Sequence, residues 1–150
     1  MDVFAEFEQL AQIFAEKQVP YALIGGIAMA FHVQPRFTKD IDFLITPDQL
    51  PVVSSTLKSL GYLASAEPWK FRNAELVLHR FLKPALDDEF VVDVLIAGSP
   101  ETALMVNRAQ VIESPDHPRI RIARREDMIQ LKKLRYSPLD QADIALLQNE

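Results

Sequence analysis

Tyr21-Ala-Leu-Ile-Gly-Gly-Ile-Ala-Met-Ala-Phe-His-Val-Gln-Pro-Arg-Phe-Thr-Lys-Asp-Ile-Asp-Phe-Leu-Ile45 runs from an apolar strand through a glycine pair into a compact helical segment, then into a second apolar strand that carries two carboxylates. Thirteen residues separate Gly25-Gly26 from Asp40-Ile41-Asp42. Side chains alternate faces along a strand, so Asp40 and Asp42 point the same way, roughly 7 Å apart along the backbone. Two like charges held that close resist joint ionisation unless a cation lies between them. Mg²⁺ suits the place, since it takes oxygen ligands and keeps positions open for substrate phosphates; Mn²⁺ is the alternative. Asp-x-Asp alone is common at solvated strand ends. Here Ile41 and Phe43-Leu44-Ile45 flank the pair with apolar side chains, which predicts a buried strand, where a carboxylate is costly unless paired or metal-bound.

The glycine pair falls where a strand gives way to a helix. Bare backbone N–H groups at a helix N-terminus receive phosphate, although a tight turn alone would also call for glycine. No Gly-Lys-Ser/Thr follows, and no third glycine, so neither a Walker loop nor a dinucleotide fingerprint is present. A glycine turn ahead of paired acids is the layout of a phosphoryl- or nucleotidyl-transfer site.

Working outward, residues 2 to about 18 read as an amphipathic helix with Asp2 as its N-cap and Phe4, Phe7, Leu10 or Ala11, and Phe14 on the inner face. Pro20 ends it. Tyr21 to Ile24 is the first strand, Ile27 to Val33 a short helix stopped by Pro35, and Ile41 to Ile45 the second strand. Thr46-Pro47-Asp48 begins a helix to about Leu60, with Gly61 as its stop. Segments 69–72, Leu76–Leu82 and Phe90–Ile96 read as strands. Pro100 to Arg108 is a short helix, Ile120 to Ala123 a brief strand, and Arg124 to Tyr136 a helix closed by Ser137-Pro138. A last helix starts at Asp140. The expected class is α/β (α+β), a mixed β-sheet with helices packed against it, in one domain spanning residues 1–150.

The whole-chain numbers bound the answer. With 150 residues and 49% hydrophobic content, the chain is large enough for a two-layer core. Its apolar runs are shorter than the ~20 residues of a membrane span. The opening Met-Asp-Val-Phe-Ala-Glu-Phe-Glu is acidic where a signal peptide would be basic, and cysteine is absent. Both fit a cytoplasmic protein without disulfides or a thiol nucleophile. A net charge of −5 argues against general coating of nucleic acid. Yet seven of the sixteen Lys and Arg residues lie from Arg119 to Arg135, where Arg119, Arg121, Arg124 and Arg125 are candidates for a surface that receives RNA, or simply a solvated face.

Two-metal chemistry needs more oxygens than two side chains supply. Asp93, the lone charge within Val91-Val-Asp-Val-Leu-Ile96, is the candidate third acid; its alternative is a structural aspartate bonded to backbone or arginine. Asp87, Asp88 and Glu89 read as a solvated turn. Arg36 and Lys39 flank the acids and are candidates to neutralise a triphosphate, or simply surface charges beside a loop. His32 and His79 have no metal-ligand partner at usable spacing.

The run Gly25-Gly26 … Arg36-Phe-Thr-Lys-Asp-Ile-Asp resembles the signature of the DNA polymerase β-like nucleotidyltransferase superfamily, and more narrowly its minimal AbiEii-like members from abortive-infection and toxin–antitoxin systems. Arg125-Glu-Asp-Met-Ile-Gln-Leu-Lys132, followed by Asp140-Gln-Ala-Asp143, is similar to the closing segment of those proteins. The resemblance implies a nucleotidyltransferase fold and Asp40, Asp42 and Asp93 as catalytic metal ligands, with Asp93 also the base. It implies Gly25 and Gly26 at the β- and γ-phosphates and Lys132 on the nucleotide. Gly26 stands where many members carry serine. The implied activity moves NMP from an NTP such as ATP to a hydroxyl of RNA or tRNA, a protein or a small molecule, with Mg²⁺. The implied partners are a cognate antitoxin or a second copy of the chain. The rival is a catalytically silent member acting as a binding or antitoxin subunit.

Overall fold

The computed structural model describes residues 2–65, 68–71, 76–135 and 137–149. Helix α1, Val3–Glu16, is capped by Asp2, whose carboxylate accepts from the Ala5 N–H, and it buries Phe7, Leu10, Ala11 and Phe14. Phe4 departs from the expected inner face. It remains 45% exposed, with its ring edge-on to Phe7 and tilted against Phe31. Strand β1, Ala22–Ile24, runs directly into α2, Gly25–His32. After a loop comes β2, Asp40–Ile45.

The predicted helix from Thr46 is split. Pro47–Gln49 is a 3₁₀ turn, and α3 proper is Leu50–Ser59, with a second proline, Pro51, tolerated in its first turn. Gly61 stops it at φ +98°, a conformation that favours glycine. Two short strands, β3 (Leu63–Ala64) and β4 (Trp69–Phe71), precede the long hairpin of β5, Leu76–Ala85, and β6, Asp88–Ala97. Asp87 turns the hairpin at φ +57°, whereas Asp88 and Glu89, expected in the turn, already pair within β6. Residue 72, the end of one predicted strand, and Tyr136, the end of one predicted helix, lie outside the described residues.

Helix α4, Pro100–Asn107, starts on a Ser99–Thr102 capping box. It is followed by β7, Gln110–Ser114, and β8, His117–Ile122. Sequence reasoning missed β7 and shortened β8, because β7 is an edge strand of mostly polar, exposed residues and Pro118 breaks the pattern of β8. Helices α5, Arg125–Arg135, and α6, Pro138–Gln148, pack against each other at the end of the chain. Ser137-Pro138 belongs to α6 rather than closing α5: the Ser137 hydroxyl accepts from the Asp140 N–H, and the Asp140 carboxylate accepts from the Ser137 N–H. That reciprocal cap moves the start of the helix back from Asp140. No described helix is long and apolar enough to cross a membrane.

The eight strands form one mixed sheet in the order β3-β5-β6-β2-β1-β8-β7, with β4 also on β5. The pairing that matters most is β2 with β6, parallel, in which Asp42 lies opposite Asp93. Strand β1 runs antiparallel to β2 and delivers Ile24 beside Asp42. Beneath these strands, the fully buried Phe43 ring meets Phe14 and Tyr21 at centroid distances of 5.3 and 5.2 Å, anchoring α1 to the central strand. Deleting such a ring leaves a cavity that a packed core cannot close. Phe43→Ala should therefore lose about 3–5 kcal/mol of unfolding free energy in urea titration; a loss under about 1 kcal/mol would contradict this packing.

Candidate active site

Strand alternation puts Asp40 and Asp42 on one face of β2, and the parallel register brings Asp93 of β6 alongside. One carboxylate oxygen from each lies within 4.8 Å of the other two. Asp93 is buried at 5% exposure, and Asp40 and Asp42 are half-buried. Burial, and next the Asp93 charge, raise the pKa of Asp40 against the opposing pull of Arg80 and Lys39. Three converging carboxylates with too little counter-charge are the donor set a hard divalent cation takes.

Glycine is required beside them. Gly25 has φ +75°, and a Cβ built on it would lie 2.1 Å from Asp42 Oδ2. The turn thus presses backbone against carboxylate, as no other residue allows. A Cβ at Gly26 would come 2.8 Å from both Cβ and Oγ1 of Thr38, so the Thr38 side chain fills the space that a serine would need.

Two more residues complete the charge pattern: Arg80, which sequence reasoning did not single out, and Asp143 of the closing motif. Arg80 of β5 lies opposite Asp93 in the antiparallel register and forks onto it, Nε donating to Oδ1 at 2.8 Å and a terminal nitrogen to Oδ2 at 2.9 Å. Asp93 is therefore both the third acid and an arginine partner, so the two readings of it describe one residue. That Arg80 faces Asp93 is legible only once the register of β5 against β6 is known. Asp143 of α6 gathers the candidate phosphate ligands: Arg36 donates to it through two nitrogens, at 2.7 and 3.2 Å, and Lys132 Nζ at 2.9 Å. Burial pushes the Asp143 carboxyl up, but the hydrogen bonds from Arg36 and Lys132 outweigh it and leave its pKa below the usual carboxylate range. Asp140, the α6 cap, stands 3.9 Å from Lys132 Nζ.

All seven residues expected at the site, Gly25, Gly26, Arg36, Asp40, Asp42, Asp93 and Lys132, line one cleft of about 510 Å³. Its remaining wall is largely apolar, including Leu95, Met128, Leu131 and Leu139, and at its edge stands Phe37, 86% exposed. Lys39 points elsewhere and pairs with Asp88. His32 donates to the Ala123 carbonyl, a structural use.

The four arginines considered as a surface near the C-terminal helices are engaged in different ways. Arg121 donates to the carbonyls of Tyr21 and Val106, Arg124 to that of Arg108, and Arg125 to those of Leu147 and His32, while Arg119 pairs with Glu113. Arg121 is buried enough for desolvation to lower its pKa. The Arg121 and Arg125 guanidinium groups tie strands and helices together, whereas Arg119 and Arg124 remain exposed.

A profile of the nucleotidyl transferase AbiEii toxin family, type IV TA system, matches residues 9–122. Among solved structures, ANT(2")-Ia in complex with adenylyl-2"-tobramycin aligns with TM-score 0.64 at 15% identity, covering 97% of this chain and 86% of that one. The lincomycin-bound lincosamide antibiotic adenylyltransferase LnuA aligns at 0.57 and 14%, covering 96% and 95%. An antigenic nucleotidyltransferase-like protein from Paracoccidioides brasiliensis aligns at 0.62 and 15%, covering 97% and 74%. At these identities the likeness is one of fold. No curated protein matches the sequence.

The raised pKa of Asp40 fixes the sign of a pH effect. A group whose folded pKa lies above its unfolded value stabilises the fold below the unfolded pKa, and that contribution is lost as pH rises through the folded pKa. In chelator, Asp40→Asn should therefore melt higher than the natural protein at pH 7, and the advantage should shrink as pH falls toward about 4. Calorimetry showing a lower melting temperature for Asp40→Asn at pH 7 would contradict the crowding.

Proposed function

The chain belongs to the AbiEii nucleotidyltransferase family, and from that premise we propose that it transfers NMP from an NTP to an acceptor hydroxyl with the help of Mg²⁺. The observation that carries the proposal is the convergence of Asp40, Asp42 and Asp93 within 4.8 Å beside the Gly25-Gly26 turn. Those three carboxylates would hold the cation, which supplies charge neutralisation on the triphosphate and acidity to the acceptor. The residues of the chain do the rest. The opening N–H groups of α2 at Gly25 and Gly26 face the β- and γ-phosphates. Arg36 and Lys132, prepositioned by Asp143, offer a planar fork and a point charge to the same triphosphate.

In the reaction the acceptor oxygen attacks the α-phosphorus, the bond from that phosphorus to the bridging oxygen breaks, and pyrophosphate leaves. The acceptor proton passes to a carboxylate oxygen of Asp93, which first gives up one hydrogen bond from Arg80. The apolar wall and Phe37 favour a planar or apolar-faced group, the nucleobase or the acceptor body. The engagement of the Arg121, Arg124 and Arg125 side chains by backbone carbonyls weighs against a long RNA track on that side and toward a compact acceptor, a small molecule or a single exposed side chain. We place this activity in the cytoplasm, in a toxin–antitoxin setting with a cognate antitoxin as partner.

The test is transfer from each α-labelled NTP into a total lysate, its protein, RNA and small-molecule fractions counted separately. Label should appear in one fraction with Mg²⁺ present. Asp93→Asn should bind NTP within a few-fold of the natural protein but lose about 10²–10⁴-fold in turnover. Undiminished transfer by a variant with all three aspartates changed to Asn would refute the proposal.

A further inference from the structure

Asp42, Asp93 and Arg80 form one row across three neighbouring strands: Asp42 of β2 lies opposite Asp93 of β6, which lies opposite Arg80 of β5. Directly opposed residues on one sheet face stand within side-chain reach. Both oxygens of Asp93 accept from the Arg80 fork, while Asp93 is 7% exposed at its side chain and Arg80 43%. The Arg80 pKa is raised chiefly by its hydrogen bonds to Asp93, with the charges of Asp93, Asp40 and Asp42 adding to them. Of the basic residues lining the cleft, Arg36 and Lys132 are both held by Asp143. Arg80, by contrast, donates to a member of the triad itself.

We propose that Arg80 is the built-in counter-ion of the carboxylate triad, fixing Asp93 while no cation is bound and setting how tightly a divalent cation is held. The inference rests on the reading of Asp40, Asp42 and Asp93 as a cation site. A divalent ion that shares Asp93 meets a fixed positive charge already bonded to the same carboxylate, and this repulsion weakens its binding. In exchange, the metal-free site is not left with three uncompensated acids. Half-exposed and at the cleft wall, the guanidinium has room to withdraw toward solvent when the ion enters. Arg80 is thus a positioning residue that acts through Asp93.

The measurement is the affinity for Mn²⁺ alone, without nucleotide, by isothermal titration and by the electron paramagnetic resonance of free Mn²⁺. Arg80→Gln should bind Mn²⁺ about tenfold tighter than the natural protein and should melt lower in chelator. Arg80→Lys keeps the charge and loses the fork, and it should stay within about threefold of the natural affinity. A purely structural arginine predicts the opposite, since Asp93 would lose its anchor; weaker or unchanged Mn²⁺ binding by Arg80→Gln would overturn the proposal. If Arg80→Gln does not fold in chelator, recovery of its circular dichroism on adding Mn²⁺ supports the counter-ion role, and no recovery at saturating Mn²⁺ rejects it. The Asp40→Asn variant separates the two readings. Mn²⁺ binding that is absent, or untouched by Asp40→Asn, removes the cation site and this inference with it. Binding that depends on Asp40 but is not tightened by Arg80→Gln removes the counter-ion role alone.

Discussion

The parallel pairing of β2 with β6, in the register that sets Asp42 against Asp93, is the constraint on which the other features depend. It forces like charges together on a sheet whose opposite residues, Ile41, Phe43, Val92 and Val94, are fully buried. A one-residue slip would turn those apolar side chains out and the acids into the core, so hydrophobic burial enforces the electrostatic crowding. The surrounding chemistry answers that crowding. Gly25 gives up its Cβ where Asp42 presses against it, and Arg80 faces Asp93 from the next strand.

The second half of the cleft is organised by one acid. Asp143 comes from the last helix and binds Arg36, from the loop before β2, together with Lys132, from α5. A loop from early in the chain and its last two helices are thereby held at one wall. A buried carboxylate with two cations tolerates its desolvation because each charge finds a partner. Under the proposed function, this arrangement would keep a long arginine and a lysine preorganised for phosphate, so that less side-chain freedom is lost when substrate arrives. Arg121, Arg124 and Arg125 are used differently, as cross-links from side chain to backbone carbonyl.

How far the sequence alone reaches can be read from particular residues. The period-2 placement of Asp40 and Asp42, the glycine pair before them and the isolated charge at Asp93 are local signals, and each ends in the same cleft. The strands bearing them were legible for the same reason: apolar, β-branched runs broken by turns. Arg80 was not legible, because nothing near it in sequence marks it; only the pairing of β5 with β6 sets it opposite Asp93. The edge strand β7 escaped because solvent accepts its polar side chains, leaving no burial pattern. Ser137-Pro138 was ambiguous between stop and start, since proline fits both, and only the Ser137–Asp140 cap resolves it. The engagement of Arg121 and Arg125 by backbone carbonyls was not legible either, because composition records charge and not its partners.

In the proposed function, Asp40, Asp42 and Asp93 share a cation that receives the triphosphate at the Gly25-Gly26 turn. Crystals grown with Mn²⁺ and a non-hydrolysable NTP test it most directly, through anomalous diffraction at the manganese edge. An anomalous peak is expected among the carboxylate oxygens of the three aspartates, with the triphosphate on the N–H groups of Gly25 and Gly26. A triphosphate bound elsewhere, or manganese that avoids these carboxylates, would contradict it.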